Sequence, residues 1–176
     1  MPVSTNGYEV LDNPAWGDSR LRDGIVPGVG TKLWVREELW PLFASLIRDY
    51  HNTIKHVHVS DGYDYRSIRT GSAWSDHSSG SAVDINGDAE GATGTSPMSW
   101  WKSAGRAVKA ARLKRRYKVL YWGGAVECGG DYNPGWFDWM HWACRSGTTI
   151  ADCQQVIRAL RIDKNGIRHD KHGNPI

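Results

Sequence analysis

The chain predicts an α+β domain, a small antiparallel sheet flanked by about three helices, and three observations carry that prediction. Apolar residues recur at helical spacing in three separate stretches. Between these stretches lie short alternating or β-branched runs that suit strands. The resulting order is helix, strands, helix, strands, helix. A length of 176 residues suits one domain with its own hydrophobic core and leaves little for a second.

Residues 1–30 are rich in Gly, Pro, Asn and Asp and end in Gly24-Ile25-Val26-Pro27-Gly28-Val29-Gly30, so they read as an extended, loop-rich opening segment before a core over 31–160. From Arg36 the pattern changes: Leu39, Leu42, Phe43, Leu46, Ile47 and Tyr50 form an amphipathic helical stripe. Pro41 is tolerated only in a first turn, which puts the start of this helix near Glu38. His56 to Ser60 alternates and predicts a strand, with a turn at Asp61-Gly62. A second strand is expected from Gly80 to Ile85, carrying Asp84. Ser99 is placed to cap a helix from Trp100 to about Arg116, with Trp101, Ala104, Val108 and Ala111 as its buried stripe. Tyr117 to Trp122 predicts a third strand and Trp136 to Trp142 a fourth. Thr149 and Asp152 resemble a capping box for a last helix burying Ile150, Cys153, Val156, Ile157 and Leu160. The tail, 161–176, lacks apolar periodicity and is expected to be mobile. No internal repeat is present.

Composition narrows the function classes. Hydrophobic residues make up 40% and charged residues 23%, ordinary for a soluble globular protein. No apolar stretch is long enough to span a bilayer, and the N-terminus lacks the basic-then-apolar pattern of a signal peptide, so synthesis in a cytoplasm is expected, with another route out. Cys128, Cys144 and Cys153 are an odd number without a Cys-x-x-Cys pair, which favours free thiols over zinc ligation. Between Gly91 and Val126 there is no acidic residue, while Lys102, Arg106, Lys109, Arg112, Lys114, Arg115, Arg116 and Lys118 are basic. Such a stripe attracts a polyanion, nucleic acid or an anionic cell-wall polymer, unless it is simply a solvated helix face. Base-reading aromatic motifs are absent, so specific nucleic-acid recognition ranks last.

The chemistry concentrates in two clusters. Ser75-Asp76-His77-Ser78-Ser79-Gly80-Ser81-Ala82-Val83-Asp84 holds an imidazole and a carboxylate seven positions apart, and Asp138-Trp139-Met140-His141 holds a second pair. Together they supply His77, Asp84 and His141 for one metal and leave Asp138 beside it. A hydrolytic zinc site needs three protein ligands, a fourth position for water, and a base for the water's proton. His77 and Asp84 must converge through a loop and a strand, with Gly80 free to take a positive φ. Asp138 and His141 face opposite sides of an unbroken strand, so sharing one site requires a bend or a position for Asp138 ahead of the strand. Arg66 or Arg69 is available as a fixed positive charge for a developing oxyanion.

Other polar patterns read as ordinary. His56 and His58 lack a well-spaced carboxylate partner, and His169 and His172 sit in a polar tail. Asp84-x-Asn86-x-Asp88 imitates a calcium loop, but Ala89 and Thr95 occupy the positions that need Gly and Glu. Trp136, Trp139 and Trp142 could grip a glycan or stem peptide; core packing is the expectation for at least one of them.

These residues resemble the D-alanyl-D-alanine carboxypeptidase / L-alanyl-D-glutamate endopeptidase family of zinc peptidases. The family's Ser-x-His-x-x-Gly-x-Ala-x-Asp is matched by Ser75, His77, Gly80, Ala82 and Asp84, and its downstream acid-x-x-His by Asp138 and His141. The likeness runs from about Arg36 to Ala143, more loosely from Ile25. It implies Zn2+ held by His77, Asp84 and His141, with Asp138 as catalytic base. Tyr65-Arg66-Ser67 resembles the family's Tyr-Arg-Ser and so implies Arg66 for the oxyanion or carboxylate. Peptidase domains of bacteriophage endolysins are the nearest likeness. The implied substrate is the stem peptide of host peptidoglycan, cut by a monomer after its release to the cell wall. Two positions depart: Asp138 stands where carboxypeptidase members usually carry Glu, and Ala143 where many relatives have a polar side chain. The alternative is a zinc-containing module that binds cell wall or polyanion, through the Lys102–Lys118 stripe, without catalysis.

Overall fold

The computed structural model describes residues 1–11, 19–68, 71–87, 98–131 and 138–176. Its architecture is α+β, with two small antiparallel sheets. Strands β1 (Leu21–Ile25) and β2 (Lys32–Arg36) form a hairpin. Helix α1 (Trp40–Thr53) follows, and then β3 (Ser60–Asp61) and β4 (Ala82–Ile85). The short α2 (Met98–Lys102) and α3 (Arg106–Arg116) precede β5 (Leu120–Trp122), β6 (His141–Cys144) and α4 (Ile150–Ala159). The four-stranded sheet has the order β3-β4-β6-β5.

Helix α1 starts at Trp40 after a single 3-10 turn, with Pro41 in its first turn, and its whole predicted stripe is buried. Helix α4 opens on the expected capping box, Thr149 and Asp152 each accepting from the other's backbone N–H. Successive strand residues point to opposite faces. Val83, Ile85, Leu120, Trp122, Trp142 and Cys144 therefore face one way, into the core with the helices. Ala82, Asp84, Tyr121, His141 and Ala143 face the other way. On the core side Trp101 stacks on Trp139 at 5.1 Å and Trp122 on Trp142 at 5.8 Å, so Trp139 and Trp142 are packing residues. Trp136 lies outside the described residues.

Several predicted elements differ. The Gly/Pro-rich end of the opening segment is the turn of the β1–β2 hairpin, where Val26 donates its N–H to the Thr31 carbonyl at 2.9 Å. His56 to Val59 is not a strand; Asn86 pins it by accepting from His58 N–H at 3.1 Å and donating to His56 O at 2.9 Å. Asp61, expected in a turn, ends β3. The helix expected from Trp100 to Arg116 is broken: Ala104 has φ 50 and Gly105 φ 66, and the break turns the register so that Ala107, Ala110, Ala111 and Leu113 are buried while Val108 is exposed. The third strand starts at Leu120, after a turn. The fourth runs from His141 to Cys144, later than predicted. The tail is folded, its Ile162 bridging Arg168 and His169 bridging Pro175, and Arg168 reaches Asp49 of α1 at 3.0 Å. No described helix is long and apolar enough to cross a membrane.

Candidate metal centre

The centre is assembled from one tight turn and one cross-strand pair. Ser75 caps a 3-10 turn over Asp76–Ser79, its hydroxyl accepting from the His77 N–H at 3.3 Å. Gly80 ends the turn in the left-handed region at φ 65, ψ 23, the positive φ expected there. The chain then enters β4, where Asp84 is directly opposite His141 on β6. Directly opposed residues bring their Cβ atoms to about 5 Å, so sheet register alone joins these two ligands. The parity problem at Asp138 is solved by position: Asp138 precedes β6, and a turn follows in which His141 N–H donates to Asp138 O at 3.0 Å.

His77 Nε2, His141 Nδ1 and Asp84 Oδ1 form a triangle with sides of 3.2, 2.9 and 3.3 Å. Donors bound at about 2.0–2.1 Å in a tetrahedron lie about 3.3 Å from one another, so this triangle matches one face of such a shell. All three residues are buried, at 2%, 8% and 9% exposure. Two nitrogens and a carboxylate oxygen, converging within reach of one another, could hold a metal ion. The outer atoms fit as well. His77 Nδ1 donates to the Gly62 carbonyl at 2.5 Å, which leaves Nε2 with its lone pair toward the cluster. That carbonyl is fixed by close packing, because a Cβ on Gly62 would sit 2.1 Å from the Trp34 carbonyl oxygen.

Electrostatics favour cation binding. Burial pushes Asp84 upward, but hydrogen bonds and charge from His141 and His77 overcome it and hold the carboxyl far below its usual range. Burial likewise works against a charged His141. Asp76, with Nε2–Oδ2 at 4.0 Å, and Asp84 outweigh burial, with a further contribution from Asp138, and raise the imidazolium to about 10. Both shifts show that the site favours positive charge at the point where the three side chains converge.

The remaining predicted residues are placed as follows. Asp138 is half-buried, and its charge is felt at His141. Arg66 lines an open cleft of about 570 Å³ together with His77, Trp34, Tyr63 and Asp61, and its Nε meets Asp64 at 2.6 Å. Arg69 lies outside the described residues, as do Asp88, Ala89 and Thr95 of the calcium-loop imitation. Ala143 is fully buried on the site face between Ala82 and Tyr121. Sequence reasoning missed Gly62, which only long-range packing reveals, and Asp76, whose signal was an acidic residue next to a ligand. Comparison of the chain with protein-family models, curated proteins and solved structures finds no match.

Proposed function

We propose that this chain is a zinc-dependent peptidase that hydrolyses amide bonds in peptidoglycan stem peptides, of the L-alanyl-D-glutamate endopeptidase or D-alanyl-D-alanine carboxypeptidase type, acting as a phage endolysin. The observation that carries the proposal is the tetrahedron-sized triangle of His77, Asp84 and His141; Asp138, ahead of β6 and near enough for its charge to act on His141, supports it. Two imidazoles and one carboxylate suit zinc, whereas magnesium and calcium prefer all-oxygen shells. Three ligands leave a fourth position for solvent, unlike structural zinc sites, which close it with Cys or His.

Zinc bound there supplies an acidified water and polarises the scissile carbonyl. Asp138 takes the proton released in the attack and passes it to the leaving amine, so the carboxylate ends each cycle ionised. His77, with Nδ1 committed to Gly62, keeps one tautomer throughout. The cleft beside His77 receives the peptide, with the edge-to-face pair of Trp34 and Tyr63 (ring centres 4.9 Å apart) offering an apolar wall and Arg66 a positive charge for a substrate carboxylate or oxyanion.

Asp138→Asn is expected to keep stoichiometric zinc and lose wall hydrolysis by about a hundredfold or more, while His77→Ala loses both. Turbidity loss of purified sacculi and metal analysis of the protein are the measurements. Full lytic activity in Asp138→Asn would falsify the assignment of the base, and mass spectrometry of the released fragments identifies the amide cut.

The alternative, a wall-binding module without turnover, draws on the basic residues of α3 and its flanks. Lys109, Arg112, Arg115 and Lys118 make no ion pair among the described residues, whereas Lys102, Lys114 and Arg116 are paired. Salt-sensitive binding to anionic wall polymers without fragment release would favour it.

A further inference from the structure

We propose that Asp76 is the positioning residue for His141 and that residues 4–6 are the clamp that holds Asp76, which makes the opening segment a working part of the metal centre. The inference rests on the metal-binding role of His141 proposed above.

Asp76 lies between the cap Ser75 and the ligand His77, is only 7% exposed, and divides its carboxylate between two tasks. Oδ1 accepts from the Asn6 backbone N–H at 2.8 Å and from the Thr5 hydroxyl. Oδ2 faces His141 Nε2 at 4.0 Å, on the opposite side of the ring from the metal-facing Nδ1. A ring bound through one nitrogen can still pivot, and a carboxylate on the other nitrogen sets both its plane and its tautomer. The site-face neighbours of His141 on the sheet are Ala82 and Ala143, which have no polar group to give, and Tyr121, whose ring lies against the imidazole with centres 5.5 Å apart.

The clamp is built as deliberately as the turn it grips. Asn6 Nδ2 donates to Ser81 Oγ at 2.8 Å and to the Cys144 carbonyl at 3.1 Å, so one side chain joins the opening loop to both halves of the site. Ser4 Oγ donates to Asn6 Oδ1 at 2.6 Å and lies 3.0 Å from Ser79 Oγ. Thr5 N–H donates to the Trp74 carbonyl at 3.0 Å, and Leu11 N–H to Ser78 O at 2.9 Å. Ser4, Asn6, Ser79 and Ser81 are all buried, so this network has little water to fall back on.

The test is zinc affinity, measured by competition with a chromophoric chelator, together with the visible spectrum of the cobalt-substituted protein. Asp76→Asn, which keeps the shape and loses the charge, is expected to weaken zinc binding about ten- to a hundredfold and to change the cobalt spectrum. Asn6→Ala, which loosens the clamp and leaves the carboxylate, is expected to move both in the same direction by less. A purely structural role would lower the melting temperature of the metal-free variants and leave affinity and spectrum at wild-type values; that result overturns the proposal. If Asp76→Asn does not fold, Thr5→Val carries the same test, with a several-fold loss of affinity expected and unchanged affinity overturning it. A wild-type protein that binds no zinc, or an Asp84→Ala variant that binds it normally, removes the metal centre itself and is thereby distinguished from failure of the positioning role.

Discussion

The two faces of the four-stranded sheet are made by alternate residues of the same strands, yet they obey opposite rules. Toward the helices stand Val83, Trp122, Trp142 and Cys144, fully buried and held by dispersion and by exclusion from water. Toward the opening loop stand Asp84 and His141, also buried, but held by charge and by hydrogen bonds that come from distant segments. One face derives its stability from being apolar. The other carries groups whose desolvation is costly and which a bound cation would compensate. A step of one residue along β4 or β6 crosses from one regime to the other.

The comparison can be broken first on the core face. Trp142→Ala removes a ring stacked on Trp122 and is expected to cost about 3–5 kcal/mol of unfolding free energy by urea titration. A loss of under about 1 kcal/mol would mean that this face is not the packing core.

On the site face the larger effect is ligand-linked. Zinc at a hundredfold excess over its dissociation constant is expected to stabilise the wild type by about 2.7 kcal/mol and His77→Ala not at all. Equal stabilisation of both proteins would place the binding elsewhere.

The third comparison concerns pH. His141, raised to about 10, gives the metal-free fold a stabilising contribution that is complete below the ordinary histidine range and is lost as pH climbs through that value. Asp84, depressed, has the opposite sign, its contribution present above the ordinary carboxylate range and lost on acidification. Near neutrality, zinc must displace the His141 proton, so affinity is expected to fall about tenfold for each pH unit lowered between pH 8 and pH 6. Isothermal titration at three pH values measures this, and a flat profile would show that the proton is not where the cation binds.

What the sequence disclosed follows the range of the forces involved. Helix α1, the capping box of α4 and the positive φ of Gly80 are local matters, and they were legible. The convergence of His77, Asp84 and His141 was legible because motif order restricts how a turn and a strand pair can meet. Ala104 and Gly105 were not, because the periodicity of apolar residues continues plausibly across a break that a left-handed pair introduces. The β1–β2 hairpin was hidden by its own turn, whose glycines and proline coloured the whole opening segment as loop. Asp76 escaped because its partners, Thr5, Asn6 and His141, are distant along the chain. The folding of the tail escaped for the same reason: Arg168 finds Asp49, which also receives Arg116 and the Tyr117 hydroxyl, and no short window contains that meeting.

The missing side chain at residue 62 has a mechanical consequence. With only a hydrogen there, the hairpin and the larger sheet touch backbone to backbone, Tyr63 N–H reaching the Trp34 carbonyl at 2.6 Å. The two sheets are geared together at that point. Any shift of the Trp34 backbone on β2 would therefore pass to residue 62, whose carbonyl holds the His77 ring, and any substituent inserted at 62 would throw that gearing out of mesh.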